Sequence, residues 1–193
     1  MLASNDISNQ DCTGTPAYSL NFYGNPADPA LLLIGSSEIC RTFGNKIRHR
    51  LLQHHYQLIV AEARHPLSDT PTQGNLMTAA DYQYQLNQLL KLLPIKPALL
   101  AEGVQAAYAL LCLTQSKSQL ATELILINLS VPTTLSEKID SAFDSISIPV
   151  LNIRNNDHPH SNLYSDEEHE DWNNQTTKII HFLDTRIALG LPT

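Results

Sequence analysis

The chain has 193 residues, 42% of them hydrophobic and 16% charged, which is the composition of an ordinary soluble globular protein and long enough for one domain with a substantial core. No apolar run approaches the roughly 20 residues of a membrane-spanning helix, and residues 1–18 lack the basic end and apolar stretch of a signal peptide. The net charge of −7 is concentrated in one place: residues 155–177 hold six acids and no Lys or Arg, while the other 170 residues hold 13 acids against 12 bases, so the body is nearly neutral and lacks the basic face that nucleic acid requires. A cytoplasmic location is favoured; a periplasmic one requires a leader already removed.

Residues 1–16, rich in Ser, Asn, Asp, Gln, Thr and Gly, read as a flexible N-terminal arm, and 17–193 as a single domain. Residues 17–23 set Tyr18, Leu20 and Phe22 against Ser19 and Asn21, the alternation of a half-exposed edge strand. Turn residues follow: Gly24, Asn25, Pro26, Asp28 and Pro29. Residues 30–34 are continuously apolar, as in a strand covered on both faces, and Gly35-Ser36-Ser37 ends it. From 41 to 54, Phe43, Ile47, Leu51 and Leu52 recur at helical spacing. Residues 56–61 form the next strand. The stretch 62–78, with Pro66, Pro71 and Gly74, is a long loop expected to lie over a pocket.

Asp81 starts a helix that carries Tyr82, Leu86, Leu89, Leu90 and Leu93 and stops before Pro94. Residues 97–101 are a strand, 104–114 a helix and 123–129 a strand. Ser136 is placed to cap a short helix with Ile139 and Phe143 inward. Residues 148–153 form the last strand, 155–174 are polar and irregular, and 175–189 make an amphipathic helix with Ile179, Ile180, Leu183 and Ile187 on one face. Apolar strands alternating with helices predict an α/β three-layer sandwich, with a mostly parallel sheet of about six strands and right-handed crossovers.

Cys12, Cys40 and Cys112 make an odd count without CxxC spacing, so neither a disulfide framework nor a zinc site is supported. Cys112 falls in an apolar helix as a small core residue. Asp157, His158, His160, Asp166, Glu167, Glu168, His169 and Glu170 have the side-chain types of a divalent-metal site but no spaced pattern such as His-Glu-x-x-His. They read as a solvated loop, and neither a metal nor a cofactor is expected. His54-His55 reads as structural at a helix end. Tyr82, Tyr84, Tyr108 and Trp172 read as packing residues rather than a stacking platform for bases.

Residues 98–107, Ala-Leu-Leu-Ala-Glu-Gly-Val-Gln-Ala-Ala, read as a buried strand running straight into a helix with small residues at the join. Such a corner favours glycine, and the helix start offers free N–H groups that suit an anion or a carbonyl. Glu102 opposes an anion if it points into the pocket. The order of these features resembles the α/β-hydrolase superfamily over roughly residues 17–187. Leu31-Leu32-Leu33-Ile34-Gly35-Ser36-Ser37 is similar to its strand and oxyanion loop, and 56–61 to the strand that pairs on that one's outer side. Ala101-Glu102-Gly103-Val104-Gln105 stands where Gly-x-Ser-x-Gly would be. Residues 149–157, Pro-Val-Leu-Asn-Ile-Arg-Asn-Asn-Asp, resemble the strand and turn that deliver the acid, here Asp157. The Pro-Val-Leu phrase with a Gly-centred corner also resembles an uncharacterised group of bacterial hydrolase-like proteins.

The departures from the pattern decide what the resemblance implies. Hydrolase chemistry needs an oxygen or sulfur nucleophile on the turn, a His base and an acid to orient it. Gly103 supplies no nucleophile. In place of a His-bearing final strand the sequence offers an acidic segment with His158, His160 and His169. Gln105 replaces a small residue and would crowd the turn if that position needs positive φ. The implied protein is a minimal α/β-hydrolase without cap or last strand, catalytically inactive, that binds a small molecule or protein partner. Its candidate pocket is Gly35, Ser36, Ser37, Glu102, Gly103, Gln105 and Asp157. One alternative is a hydrolase or acyl-transfer enzyme with its nucleophile moved to Ser36, Ser37 or Cys40. That needs a His within roughly 3 Å, and His65 and His158 are the candidates. Another is a structural or interaction protein, homodimeric through strand 17–23 or the apolar face of helix 175–189.

Overall fold

A computed structural model of the protein describes residues 18–35, 37–63, 79–116, 119–154 and 167–188. The expected arm at 1–16 and nearly all of the long loop fall outside them. Six strands form one sheet: β1 (Tyr18–Tyr23), β2 (Ala30–Gly35), β3 (Gln57–Ala63), β4 (Ala98–Glu102), β5 (Leu124–Ile127) and β6 (Val150–Ile153). Their order is β1-β3-β2-β4-β5-β6. β1 runs antiparallel to β3, and the other neighbours are parallel. The helices are α1 (Ser37–Gln53), α2 (Ala79–Leu92), α3 (Val104–Gln115), α4 (Ser136–Ser145) and α5 (Glu167–Ala188). This is the α/β class expected, and β3 does lie on the outer side of β2.

Alternation along the strands splits the core in two. Leu32, Ile34, Ile59, Ala61, Leu99, Ala101, Leu124 and Leu126 pack with Tyr82, Leu86 and Leu89 of α2, Ala106 and Leu110 of α3, and Ile139 and Ala142 of α4. Leu31, Leu33, Leu58, Val60, Leu100, Ile125 and Ile127 pack on the other face with Ile47 and Leu51 of α1 and Ile179, Ile180 and Leu183 of α5. The period of two thus feeds both faces, and every residue of β2 is buried. The chain moves from β2 to β3 over the α1 face. It moves the opposite way, from β3 to β4 and on to β6, over the face of α2, α3 and α4, as right-handed crossovers require.

Three sequence expectations are corrected. The last helix begins at Glu167 rather than 175. Its start carries Glu167, Glu168, Glu170 and Asp171, acids that favour the positive end of a helix dipole but show no apolar period. Ser136 does not cap α4: the chain enters through a 3-10 turn, Thr133–Leu135, so Ser136 is already helical and the cap position falls on Leu135 without a side-chain bond. On the apolar face of α5, expected as one possible dimer contact, Ile179, Ile180 and Leu183 are buried in this molecule's own core. Polar ties add to that docking. Tyr56 Oη donates to Asp184 Oδ1 at 2.8 Å, and Arg50 donates to Thr177 Oγ1 at 3.0 Å. Among the described residues no helix is long and apolar enough to cross a membrane.

Candidate functional site

The direction of travel reverses between β2 and β4, and in open α/β sheets such a reversal leaves a crevice beyond the carboxyl ends of the two strands. Register pairs Ile34 with Ala101, so Gly35 stands level with Glu102. Gly103 follows at the corner between β4 and α3, with φ 63° and ψ −133° and no side-chain cap on the helix. That conformation is costly for any residue with a Cβ. Two bonds pin the corner to β5 and its exit: the Gly103 N–H donates to Ile127 O at 2.9 Å, and the Gly103 carbonyl accepts from the Ser130 N–H at 3.1 Å. Among the described residues, a Cβ added at Gly103 would meet nothing within 4 Å. The sharp strand-to-helix corner is therefore present, and no described atom stands where a side chain would project.

Glu102 is the last residue of β4. Alternation places it on the α1 and α5 side of the sheet, opposite to Ala101. Asn128 Nδ2 donates to Glu102 Oε1 at 3.4 Å. Burial pushes the Glu102 carboxyl above its usual range, and the Asn128 bond opposes that rise. Asn128 itself has φ 49°, a left-handed conformation that Asn adopts more readily than most residues. Sequence reasoning missed Asn128; the signal was an asparagine closing the apolar run Leu124–Ile127.

Gln105 does not crowd the corner. It is not among the positive-φ residues, and its side chain is 7% exposed inside the first turn of α3. Helical spacing puts Gln105, Tyr108 and Cys112 on one flank of α3. That flank meets α2: the Tyr108 and Tyr82 rings are 5.6 Å apart, and the Cys112 thiol donates to the Gln83 carbonyl at 3.6 Å. Gln105 thus faces the start of α2, and its Oε1 has no hydrogen-bond partner among the described residues. A buried acceptor left so costs about 1–3 kcal/mol.

The structure brings Gly35, Glu102, Gly103 and Gln105 to one sheet edge. Ser37 starts α1 at the same edge and Cys40 lies one turn further on, both described by backbone alone. Ser36, Asp157, His65, His158 and His160 lie outside the described residues. The described histidine side chains stand elsewhere. His49, His54 and His55 sit on or just past the last turns of α1, and His181 is one turn before Asp184 on α5. His54 Nδ1 lies 3.4 Å from Asp184 Oδ2, at the amino edge of the sheet. Among the described residues no three His, Cys, Asp or Glu side chains are placed to hold a metal ion.

No family model and no curated protein matches the chain. Solved structures are similar to it at the level of the fold. The thioesterase domain from the curacin biosynthetic pathway is 16% identical with a TM-score of 0.47, over 66% of this chain and 47% of that one. An esterase from Exiguobacterium antarcticum is 14% identical with a TM-score of 0.48, over 62% and 44%. The epoxide hydrolase VrEH1 from Vigna radiata is 14% identical with a TM-score of 0.46, over 60% and 37%. The chain spans under half the length of each. The likeness is one of architecture and says nothing of chemistry. Fold and site define an α/β protein with a six-stranded mostly parallel sheet and a glycine at the corner of β4 and α3.

Proposed function

We propose that the protein is a non-catalytic member of this α/β layout that binds a small molecule or a protein partner at the carboxyl edge of β2 and β4. One observation carries the reading: the corner that could present an attacking atom presents Gly103, with no described atom within 4 Å of where its Cβ would be. Acyl transfer at such a corner needs an oxygen or sulfur there and an imidazole within hydrogen-bond reach. Gly103 has neither to offer, and the described imidazoles stand at the opposite edge of the sheet. Catalysis without the nucleophile falls to the weak residue that binding and dipoles alone sustain. What remains suits binding: a corner free of described side chains, the first-turn N–H groups of α3, and the polar side chain of Glu102.

The test is to offer the purified protein short acyl esters and a serine-reactive phosphonate probe. Neither turnover nor labelling is expected. Stoichiometric labelling that disappears on changing Ser36 or Ser37, or ester turnover lost on changing Cys40, would overturn the reading in favour of a relocated nucleophile.

A further inference from the structure

Among the described residues the exposed large hydrophobics are Leu52, Tyr84, Leu92, Ile95 and Val131. Tyr84, Leu92 and Ile95 all fall on α2 or the bend that follows it. Tyr84 and Leu92 flank Gln88 at spacings of four, so the three side chains form one ridge along the helix. The ridge is turned away from Tyr82, Leu86, Leu89 and Leu93, which are buried in the core. Tyr84 is 64% exposed and Leu92 48%, and exposed apolar side chains in a row mark a contact surface. The dimer surfaces expected from the sequence offer less: Tyr18 and Leu20 of β1 are each 3% exposed, and the apolar residues of α5 lie in the core.

The ridge is complementary to itself. A two-fold axis through Gln88 runs two α2 helices antiparallel and sets Tyr84 of one copy on Leu92 of the other. On the axis Gln88 meets its own image, and an amide, being both donor and acceptor, pairs with another amide. Charge follows the same symmetry. The first turn of α2 carries Asp81 and its last turn Lys91, with Lys96 just beyond, so the acidic start of one helix comes beside the basic end of the other, and the helix dipoles oppose. The contact is a strip about 21 Å long and 10 Å wide on each copy, which falls short of the roughly 1,200 Å² total of a standard interface and suits weak association. Independently of the binding reading, we infer that the exposed ridge of α2 docks on the same ridge of a second copy, forming a weak antiparallel dimer with Gln88 on its two-fold axis.

The test is sedimentation equilibrium of the full chain from about 10 μM to about 1 mM, the range in which so small a contact populates. The average mass is expected to climb from monomer towards dimer and no further. Gln88→Glu sets two carboxylates on the axis and Gln88→Lys two ammonium groups, and each is expected to weaken self-association at least about tenfold. An equimolar mixture of the two variants should associate again, because acid then meets base; only a contact that brings residue 88 onto its own image behaves so. A monomer at every concentration, growth beyond a dimer, undiminished self-association of either variant, or no recovery in the mixture would overturn the inference. Tyr84→Ser, at a position 64% exposed, should also weaken the dimer, and it keeps the test decisive where a Gln88 variant does not fold: self-association unchanged in Tyr84→Ser sinks the proposal. None of these outcomes touches the non-catalytic reading, which the phosphonate probe decides separately.

Discussion

Asn128 and Glu102 join the ends of β5 and β4 through an amide-to-carboxylate hydrogen bond of 3.4 Å, directly before the Gly103 corner. Burial raises the Glu102 pKa, so the folded state holds this proton more tightly than the unfolded chain does. Stability from this group is therefore greatest below the ordinary carboxylate value and falls as pH rises through the raised one. Glu102→Gln keeps an acceptor for Asn128 and removes the titration. Melting temperatures of the two proteins should draw level near pH 4, and the variant should gain on the wild type as pH rises towards 7. A constant gap across that range would refute the assignment.

Two glycines with positive φ should respond differently to alanine. At Gly103, φ is 63° and an added Cβ meets nothing within 4 Å, so Gly103→Ala carries backbone strain alone, about 1–2 kcal/mol. At Gly24, φ is 99° and the Cβ would stand 2.7 Å from Leu52 Cδ2 and 3.1 Å from the Tyr56 carbonyl oxygen. Leu52 can turn aside, but the backbone oxygen must shift, so Gly24→Ala should cost more, about 2–4 kcal/mol. Denaturant midpoints test the order. Gly103→Ser should match Gly103→Ala in stability and show no esterase activity, since none of the described imidazoles serves the new hydroxyl. Robust turnover in that variant would mean that a His–acid pair reaches the corner.

What the sequence made legible follows from which signals are local. Leu31–Ile34 and Leu124–Ile127 are buried on both faces, so they read as unbroken apolar runs, and the sheet could be laid out from them. The Gly103 corner was visible because strand and helix patterns meet there without a linker. The start of α5 was not, because its first turns are acidic and polar and give no apolar period. The Glu102–Asn128 pair was hidden for a different reason: the two residues are 26 apart, and only the strand order makes them neighbours. Gln105 was read as an obstacle, whereas the burial of its side chain towards α2 depends on helix packing that no single segment encodes.

The amino edge of the sheet offers a test of how burial weights a polar contact. Tyr56 is 2% exposed and donates to Asp184. Burial and the Asp184 carboxylate both push its phenol pKa up, so it stays protonated. The His54–Asp184 pair shares the same carboxylate, but its side chains are 47% and 46% exposed. Tyr56→Phe should therefore cost about 1–2 kcal/mol, and His54→Ala under about 0.5 kcal/mol. Chemical denaturation of both variants checks the order, and a larger effect at His54 would show the solvated pair to be the stronger tie between α1 and α5.

Cys112 should be chemically silent while the protein is folded. It is 4% exposed in the core between α3 and α2, its thiol donates to the Gln83 carbonyl, and burial pushes its pKa up to about 11 against the smaller opposing effects of Asn87 and Lys91. Only the thiolate reacts, so at pH 8 about one molecule in a thousand presents it, before any steric protection is counted. Maleimide modification at pH 8, followed peptide by peptide in the mass spectrometer, should therefore leave the Cys112 peptide unmodified in the native protein and modify it rapidly in guanidinium. The rate at Cys112 should then track unfolding, rising in step with any substitution that lowers stability. Native-state labelling of Cys112 as fast as in the unfolded chain would mean that the seam between α2 and α3 opens on its own.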